Sequence, residues 1–105
     1  MPTEKSVDTI AMELTEKAIT RLLSMIRDGE TNVIELVEDK VSDVVYLDLI
    51  RQFFERLELT IPQSILSGEP SVIEVEHSLV GKKVMICASY TPSSNIHYIL
   101  SSKII

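Results

Sequence analysis

Glycine, cysteine and long apolar runs are scarce in this 105-residue chain, and each shortage excludes a class of site or protein. The 3 glycines, Gly29, Gly68 and Gly81, lie too far apart to form a glycine-rich phosphate-binding loop. The single Cys87 excludes an intrachain disulfide and a zinc site with several thiolates, and it favours a reducing, cytoplasmic compartment. Because no apolar stretch approaches the roughly 18 residues of a spanning helix, we expect no membrane association.

Basic residues are outnumbered as well, and the imbalance lies in one part of the chain. The formal net charge is −6, and all of it arises before Ile61, where 13 acidic residues face 7 basic ones. Proteins bind the phosphates of nucleic acid with clustered Lys and Arg, so we expect no direct nucleic-acid binding. The acidic surface would suit a basic protein partner.

The rest of the composition is that of one globular domain. Hydrophobic residues make up 45% of the chain, and a domain of this size removes about 65% of its surface from water on folding. We expect a single domain over residues 1–105, with a helical acidic part at 1–60 and a β-meander at 71–105.

A long amphipathic helix is predicted from Val7 to Arg27, with Ser6 as its N-cap and Gly29 after its C-terminus. Its apolar residues recur at intervals of three and four, which is the helical period. They form a main row and a second row beside it: Val7, Ile10, Leu14, Ala18, Leu22 and Met25, then Met12, Ile19, Leu23 and Ile26. Because this stripe is wider than a small sheet can cover, we expect a sandwiched helix or a subunit contact.

A second amphipathic helix is predicted from Asp43 to Leu57, with Ser42 as its N-cap. Its inner face holds Tyr46, Leu49, Ile50, Phe53 and Leu57. The intervening residues 32–38 read NVIELVE, and we predict a strand there, although the same letters also fit a short helix. Residues 60–70 are predicted to be a loop, because they contain two prolines and a glycine.

The apolar pattern changes to period two from Ser71 onward, which predicts antiparallel strands. With Val80-Gly81 as a two-residue turn and 91–95 as a second loop, both hairpins place their apolar residues on one common face. The predicted pairs are His77–Val84, Val75–Ile86, Ile73–Ala88, Ala88–Tyr98 and Ile86–Leu100. The predicted fold class is α+β: two amphipathic helices packed on one face of a three-stranded antiparallel C-terminal meander, with a fourth strand if residues 32–38 are extended.

The other face of the meander carries the residues that come nearest to a catalytic set. The predicted register places Glu74 opposite Cys87. It also places Cys87 opposite Ile99 and diagonal to His97. A thiolate held by an imidazole can act as a nucleophile, so a small enzyme that uses Cys87 and His97 is one hypothesis. His77 lies on the opposite face from His97, which disfavours a two-histidine metal site.

Another hypothesis comes from a resemblance to the winged helix. Three successive helices followed by a hairpin form the outline of that fold, and this chain would match it if residues 32–38 were helical. The resemblance implies a transcription-associated regulator in which residues 43–58 form the recognition helix. The polar positions of that segment are balanced rather than basic: Asp43, Asp48, Arg51, Gln52, Glu55 and Arg56.

The function that we favour from the sequence is binding without catalysis, by a small acidic accessory, regulatory or inhibitory protein of the cytoplasm. No catalytic, cofactor-binding or metal-binding motif is present, and the acidic residues between Glu35 and Asp48 fit no calcium loop. The wide stripe of the first helix and a C-terminal strand without a charged tail predict a homodimer. The candidate interface residues are Met12, Ile19, Leu23, Ile26, Ile104 and Ile105.

The charge distribution predicts that the protein will not bind duplex DNA measurably at physiological salt. Any recognition helix would lie within the first 60 residues, where the net charge of −6 repels phosphate. A gel-shift titration with duplex DNA measures this. Submicromolar binding that weakens steeply with salt would contradict the prediction and favour the winged-helix hypothesis.

Overall fold

Helices occupy the first part of the chain and strands the second, with one short strand between the two long helices. The computed structural model describes residues 6–37, 41–90 and 99–105. The elements in chain order are α1 Val7–Asp28, β1 Ile34–Glu35, α2 Asp43–Arg56, α3 Gln63–Ser67, β2 Ser71–Leu79, β3 Lys82–Tyr90 and β4 Ile99–Ile104.

Side-chain caps determine where the two long helices begin. The Ser6 hydroxyl accepts a hydrogen bond from the Thr9 backbone N–H at the start of α1. The Ser42 hydroxyl accepts one from the Val45 N–H at the start of α2. Gly29 ends α1 in the left-handed conformation, which a glycine adopts without strain. Both predicted helices are confirmed to within one residue at each end.

The segment predicted as a loop at residues 60–70 contains the short helix α3. Pro62 precedes it as its N-cap residue, and Gly68 ends it in the left-handed conformation. Ile65 is 2% exposed and anchors α3 in the core, whereas Leu66 is exposed. The loop prediction was therefore wrong for Gln63–Ser67. Pro62 and Gly68 mark the two ends of a short helix, and the buried Ile65 holds that helix in the core.

The β2–β3 hairpin has the predicted register. Val80 and Gly81 form its two-residue turn, and Leu79 pairs with Lys82. All the predicted pairs of this hairpin are observed: His77–Val84, Val75–Ile86 and Ile73–Ala88. The residues of β3 that face the helices are buried: Val84, Ile86, Ala88 and Tyr90.

The β3–β4 pairing differs from the prediction by two residues. Ala88 pairs with Leu100 rather than with Tyr98, and Ile86 pairs with Ser102. The described part of β4 spans Ile99–Ile104. Because side chains alternate with period two, a shift of two residues keeps each side chain on its predicted face. Leu100 is accordingly buried, and Tyr98 lies outside the described residues.

Residues 32–37 contribute the fourth strand of the sheet, which is shorter than predicted. Ile34 pairs with Ser102 and Glu35 with Ser101, and the strand order is β1-β4-β3-β2. The Leu36 N–H extends this pairing by donating to the carbonyl of Leu100 at 2.7 Å. The helical alternative for this segment was wrong, so the condition on which the winged-helix outline depended is not met.

The core lies between the helices and one face of the antiparallel sheet, which confirms the α+β fold class. The Thr15 hydroxyl in α1 donates to the Leu49 carbonyl in α2 at 3.4 Å. The rings of Tyr46 in α2 and Tyr90 in β3 stack with centroids 6.1 Å apart, which joins the helical layer to the sheet. No described helix is long and apolar enough to cross a membrane.

The packing predicts that Phe53→Ala and Ile86→Ala will each lower the free energy of unfolding by about 2–5 kcal/mol, because each leaves a cavity. Both side chains are fully buried. Cys87→Ser is the matched control on the other face of β3 and should cost much less, because Cys87 is only half-buried. Urea denaturation of the three variants tests this. A larger loss for Cys87→Ser than for Ile86→Ala would contradict the observed faces.

Candidate functional site

A groove lies between the C-terminal half of α1 and the turn of the β2–β3 hairpin. Its volume is about 470 Å³, within the range of ordinary binding pockets. Leu23 and Val80 form its exposed apolar walls, with 43% and 76% of their surface exposed. The lining residues are Thr20, Leu23, Ser24, Ile26, Arg27, Val80 and Lys82. The groove is therefore an apolar depression with a polar rim.

Val80 lies at the edge of this groove in a strained backbone conformation. The φ angles of Val80 and Gly81 are +49° and +79°, which a two-residue hairpin turn of type I′ requires. Glycine and asparagine adopt this conformation readily, whereas a β-branched side chain is strained in it. The sequence predicted the turn but did not mark Val80 as a site residue. A valine at a position that favours asparagine was the signal that could have done so.

Two cations flank the groove in a chain whose net charge is −6. Arg27 donates from Nε to the Asp28 carboxylate at 3.3 Å and from Nη2 to the Ser24 hydroxyl at 3.4 Å. Lys82, on the hairpin side, is exposed. Exposed ion pairs such as that of Arg27 and Asp28 contribute little to stability. Arg27 can therefore leave Asp28 and form an ion pair with an acidic group of a partner.

The candidate interface residues of α1 separate into surface and core positions. Met12 is 41% exposed, and Ile19 is half-buried on the same side of the helix as Leu23. Ile26 is 6% exposed and belongs to the core. Met12, Ile19 and Leu23 therefore remain as the accessible part of the second row.

The C-terminal strand β4 is not an edge of the sheet, contrary to the expectation from the sequence. β4 lies between β1 and β3, so β1 blocks pairing of two C-terminal strands at Ser101 and Ser102. Ile104 is half-buried, and Ile105 donates its backbone N–H to the Lys83 carbonyl at 2.9 Å. Among the described residues, the sheet has two edge strands, the two-residue β1 and the nine-residue β2, and β2 is the long open edge.

The described residues of the outer face include only part of the predicted catalytic set. Cys87 lies opposite Glu74 as predicted, but opposite Ser101 rather than Ile99 on its other side. His97 lies outside the described residues. Burial and then the Glu74 carboxylate raise the pKa of the Cys87 thiol, while a hydrogen bond from Ser101 opposes them. A thiol with a raised pKa is a poor nucleophile at neutral pH, which disfavours catalysis by Cys87.

The described acidic residues in the middle of the chain lie on different elements, and Glu38 and Asp39 lie outside the described residues. Glu35 lies in β1, Asp43 begins α2, and Asp48 accepts a hydrogen bond from Arg51 at 3.3 Å. Within residues 6–37, 41–90 and 99–105, no group of three or more His, Cys, Asp or Glu is arranged to hold a metal ion.

Comparisons with known proteins do not identify a family. No protein-family model matches this chain, and neither a curated protein nor a solved structure matches it significantly. The groove and the open edge of β2 are therefore the features from which a function can be inferred.

The strained turn predicts that Val80→Asn will raise the free energy of unfolding of the monomer by about 1 kcal/mol, because asparagine tolerates a positive φ. Val80→Thr is the matched control, since threonine is equally β-branched and should give no gain. Thermal denaturation at low protein concentration measures both variants. An equal gain for threonine would show that strain at Val80 is not the cause.

Proposed function

We propose that this protein is a non-catalytic protein-binding module of the cytoplasm that acts as a homodimer in an accessory, regulatory or inhibitory role. The groove between α1 and the hairpin turn is the observation that carries this proposal. Its walls, Leu23 and Val80, expose apolar surface that a partner would remove from water. The strained backbone of Val80 adds support, because local strain concentrates at functional sites.

Met12 is the side chain that would fill this groove when a second copy approaches. Met12 precedes Leu23 by about three helical turns and lies on the same side of α1. In an antiparallel pairing of two α1 helices about a two-fold axis, Met12 of each copy comes level with Leu23 of the other. A flexible methionine adapts to irregular gaps, so Met12 can enter the space beside Val80.

The charges along α1 favour the same antiparallel arrangement. With Met12 level with Leu23 of the second copy, Arg27 comes level with Asp8 in the first turn of the opposite helix. Glu16 then comes level with Ile19, and its charge is already paired with Arg56 of its own chain at 3.3 Å. Opposite charges at the two ends therefore set the direction of pairing.

Cys87 supports a binding role rather than a catalytic one. Its raised pKa keeps the thiol protonated at neutral pH, so the strongest candidate nucleophile of the sequence is not activated. A half-buried, unreactive thiol is also compatible with the cytoplasmic location that we propose.

The dimer proposal predicts that Leu23→Asp will yield a monomer, because the substitution places a charge in the apolar contact. Sedimentation equilibrium over micromolar concentrations measures the association. Val44→Asp is the matched control, since Val44 is 60% exposed on α2, away from the groove. The control should dimerise like the unaltered protein.

Val80→Thr tests the groove more narrowly, because it removes an apolar methyl group without relieving backbone strain. We expect a weaker dimer with an unchanged free energy of unfolding in the monomer. A clean monomer of 11.8 kDa for the unaltered protein at these concentrations would overturn the proposed dimer.

A further inference from the structure

The open edge of the sheet is a long, regular strand. β2 spans Ser71–Leu79, and its pairing with β3 runs without interruption from Ser71 to Leu79. On an edge strand, every second residue directs its backbone N–H and C=O away from the sheet. Among the described residues, no strand pairs with this side of β2. The edge can therefore accept one further strand.

β2 lacks most of the features that protect an edge strand from pairing. It contains no proline, lysine or bulge. Its only charged side chains are Glu74 and Glu76, which are exposed on the outer face. Neither carboxylate forms an ion pair with another described residue. The alternation of exposed and half-buried side chains is complete along the strand.

The two glutamates oppose pairing with a second copy of the same strand. An isologous antiparallel pair places residue i opposite a residue on the other side of the two-fold centre. The registers with the longest overlap are centred on Glu74, Val75 or Glu76. Centring on Val75 puts Glu74 opposite Glu76, and the other two put a glutamate opposite itself. Like charges directly opposite destabilise a strand pair, so β2 is not suited to self-pairing.

The same features define the strand that would pair well. Residues opposite Glu74 and Glu76 would be Lys or Arg, because opposite charges across a strand pair are stabilising. The alternating positions would be apolar, because they extend the face formed by the half-buried Ile73, Val75 and Leu79.

We infer that β2 is a docking edge for an extended segment of a partner protein in which Lys or Arg alternates with apolar residues. Backbone hydrogen bonds to the edge supply affinity, and the alternating side chains supply specificity. This inference names a partner for the proposed binding module, but it does not use the α1 dimer surface.

Neighbouring charges restrict where the basic residues lie. Lys83 is opposite Ser78 on the outer face, near the turn, and Lys103 follows on β4. Basic residues of the partner are therefore disfavoured beside Ser78 and favoured beside Glu74 and Glu76. The exposed Glu69 precedes the strand at its other end and adds to the negative charge there.

Fluorescence anisotropy with a labelled peptide of alternating Val and Lys tests the inference. One control peptide has the same composition with its lysines in a single block, and another carries N-methyl groups that prevent strand pairing. We expect the alternating peptide to bind and both controls to bind at least about tenfold more weakly. Amide hydrogen exchange of β2 should slow only with the alternating peptide.

Charge reversal on the protein supplies the matched test. Glu74→Lys/Glu76→Lys should weaken binding of the alternating peptide by about tenfold or more and create binding of a Val-Glu peptide. Glu55→Lys/Glu58→Lys changes the net charge equally on exposed residues outside the sheet and should leave the affinity nearly unchanged.

Two outcomes would overturn the inference. One is equal affinity for the alternating and block peptides, which would show general attraction to an acidic protein. The other is no binding of the alternating peptide at concentrations up to about 1 mM, because a dissociation constant above that value is too weak for a specific contact. The monomeric Leu23→Asp variant should still bind the peptide. Its binding separates this result from the dimer test, since failure of either leaves the other standing.

Discussion

The tight turn at Val80 and Gly81 is the constraint on which the rest of the structure depends. Two residues with positive φ leave one register for the hairpin, and that register fixes the face of every side chain in β2 and β3. A slip of one residue would turn Ile86 outward and Cys87 inward. The helices could not then cover one apolar face. The turn that strains the backbone of Val80 thus also sets the strand register on which both the core and the groove depend.

The spacing of apolar residues, and the alternation of side chains along strands, explain how much of the fold could be predicted from the sequence. Capping serines and apolar spacing located α1 and α2, and the two-residue turn located the β2–β3 register. The β3–β4 pairing was missed by two residues because alternation detects only odd shifts. The length of β1 also escaped prediction, since two residues have no usable period. Their strand pairing depends on β4, which lies far along the chain.

The candidate site was harder to predict because its residues come together through long-range contacts. Leu23 was identified from the wide stripe of α1, but its neighbour Val80 is brought there by the hairpin. Ile26 belongs to the same stripe but is buried in the core, which its helical spacing alone does not show. Ile34 and Glu35 pair with β4 and cover part of the C-terminal edge expected from the sequence, so β2 is left as the long open edge. The pattern of apolar residues within one segment does not show which distant segment of the chain will pair with it.

Charge gives the two surfaces different selectivities. On α1, the exposed apolar residues Met12 and Leu23 are accompanied by charges of both signs, and the proposed antiparallel pairing brings Arg27 level with Asp8 of the second copy. On β2, the only charges are of one sign and lie close to the centre of the strand. An identical strand brings the same charge to the same place and is rejected, whereas a basic strand is attracted. The proposed dimer surface on α1 and the proposed docking edge on β2 therefore differ in the charge pattern that a partner must match.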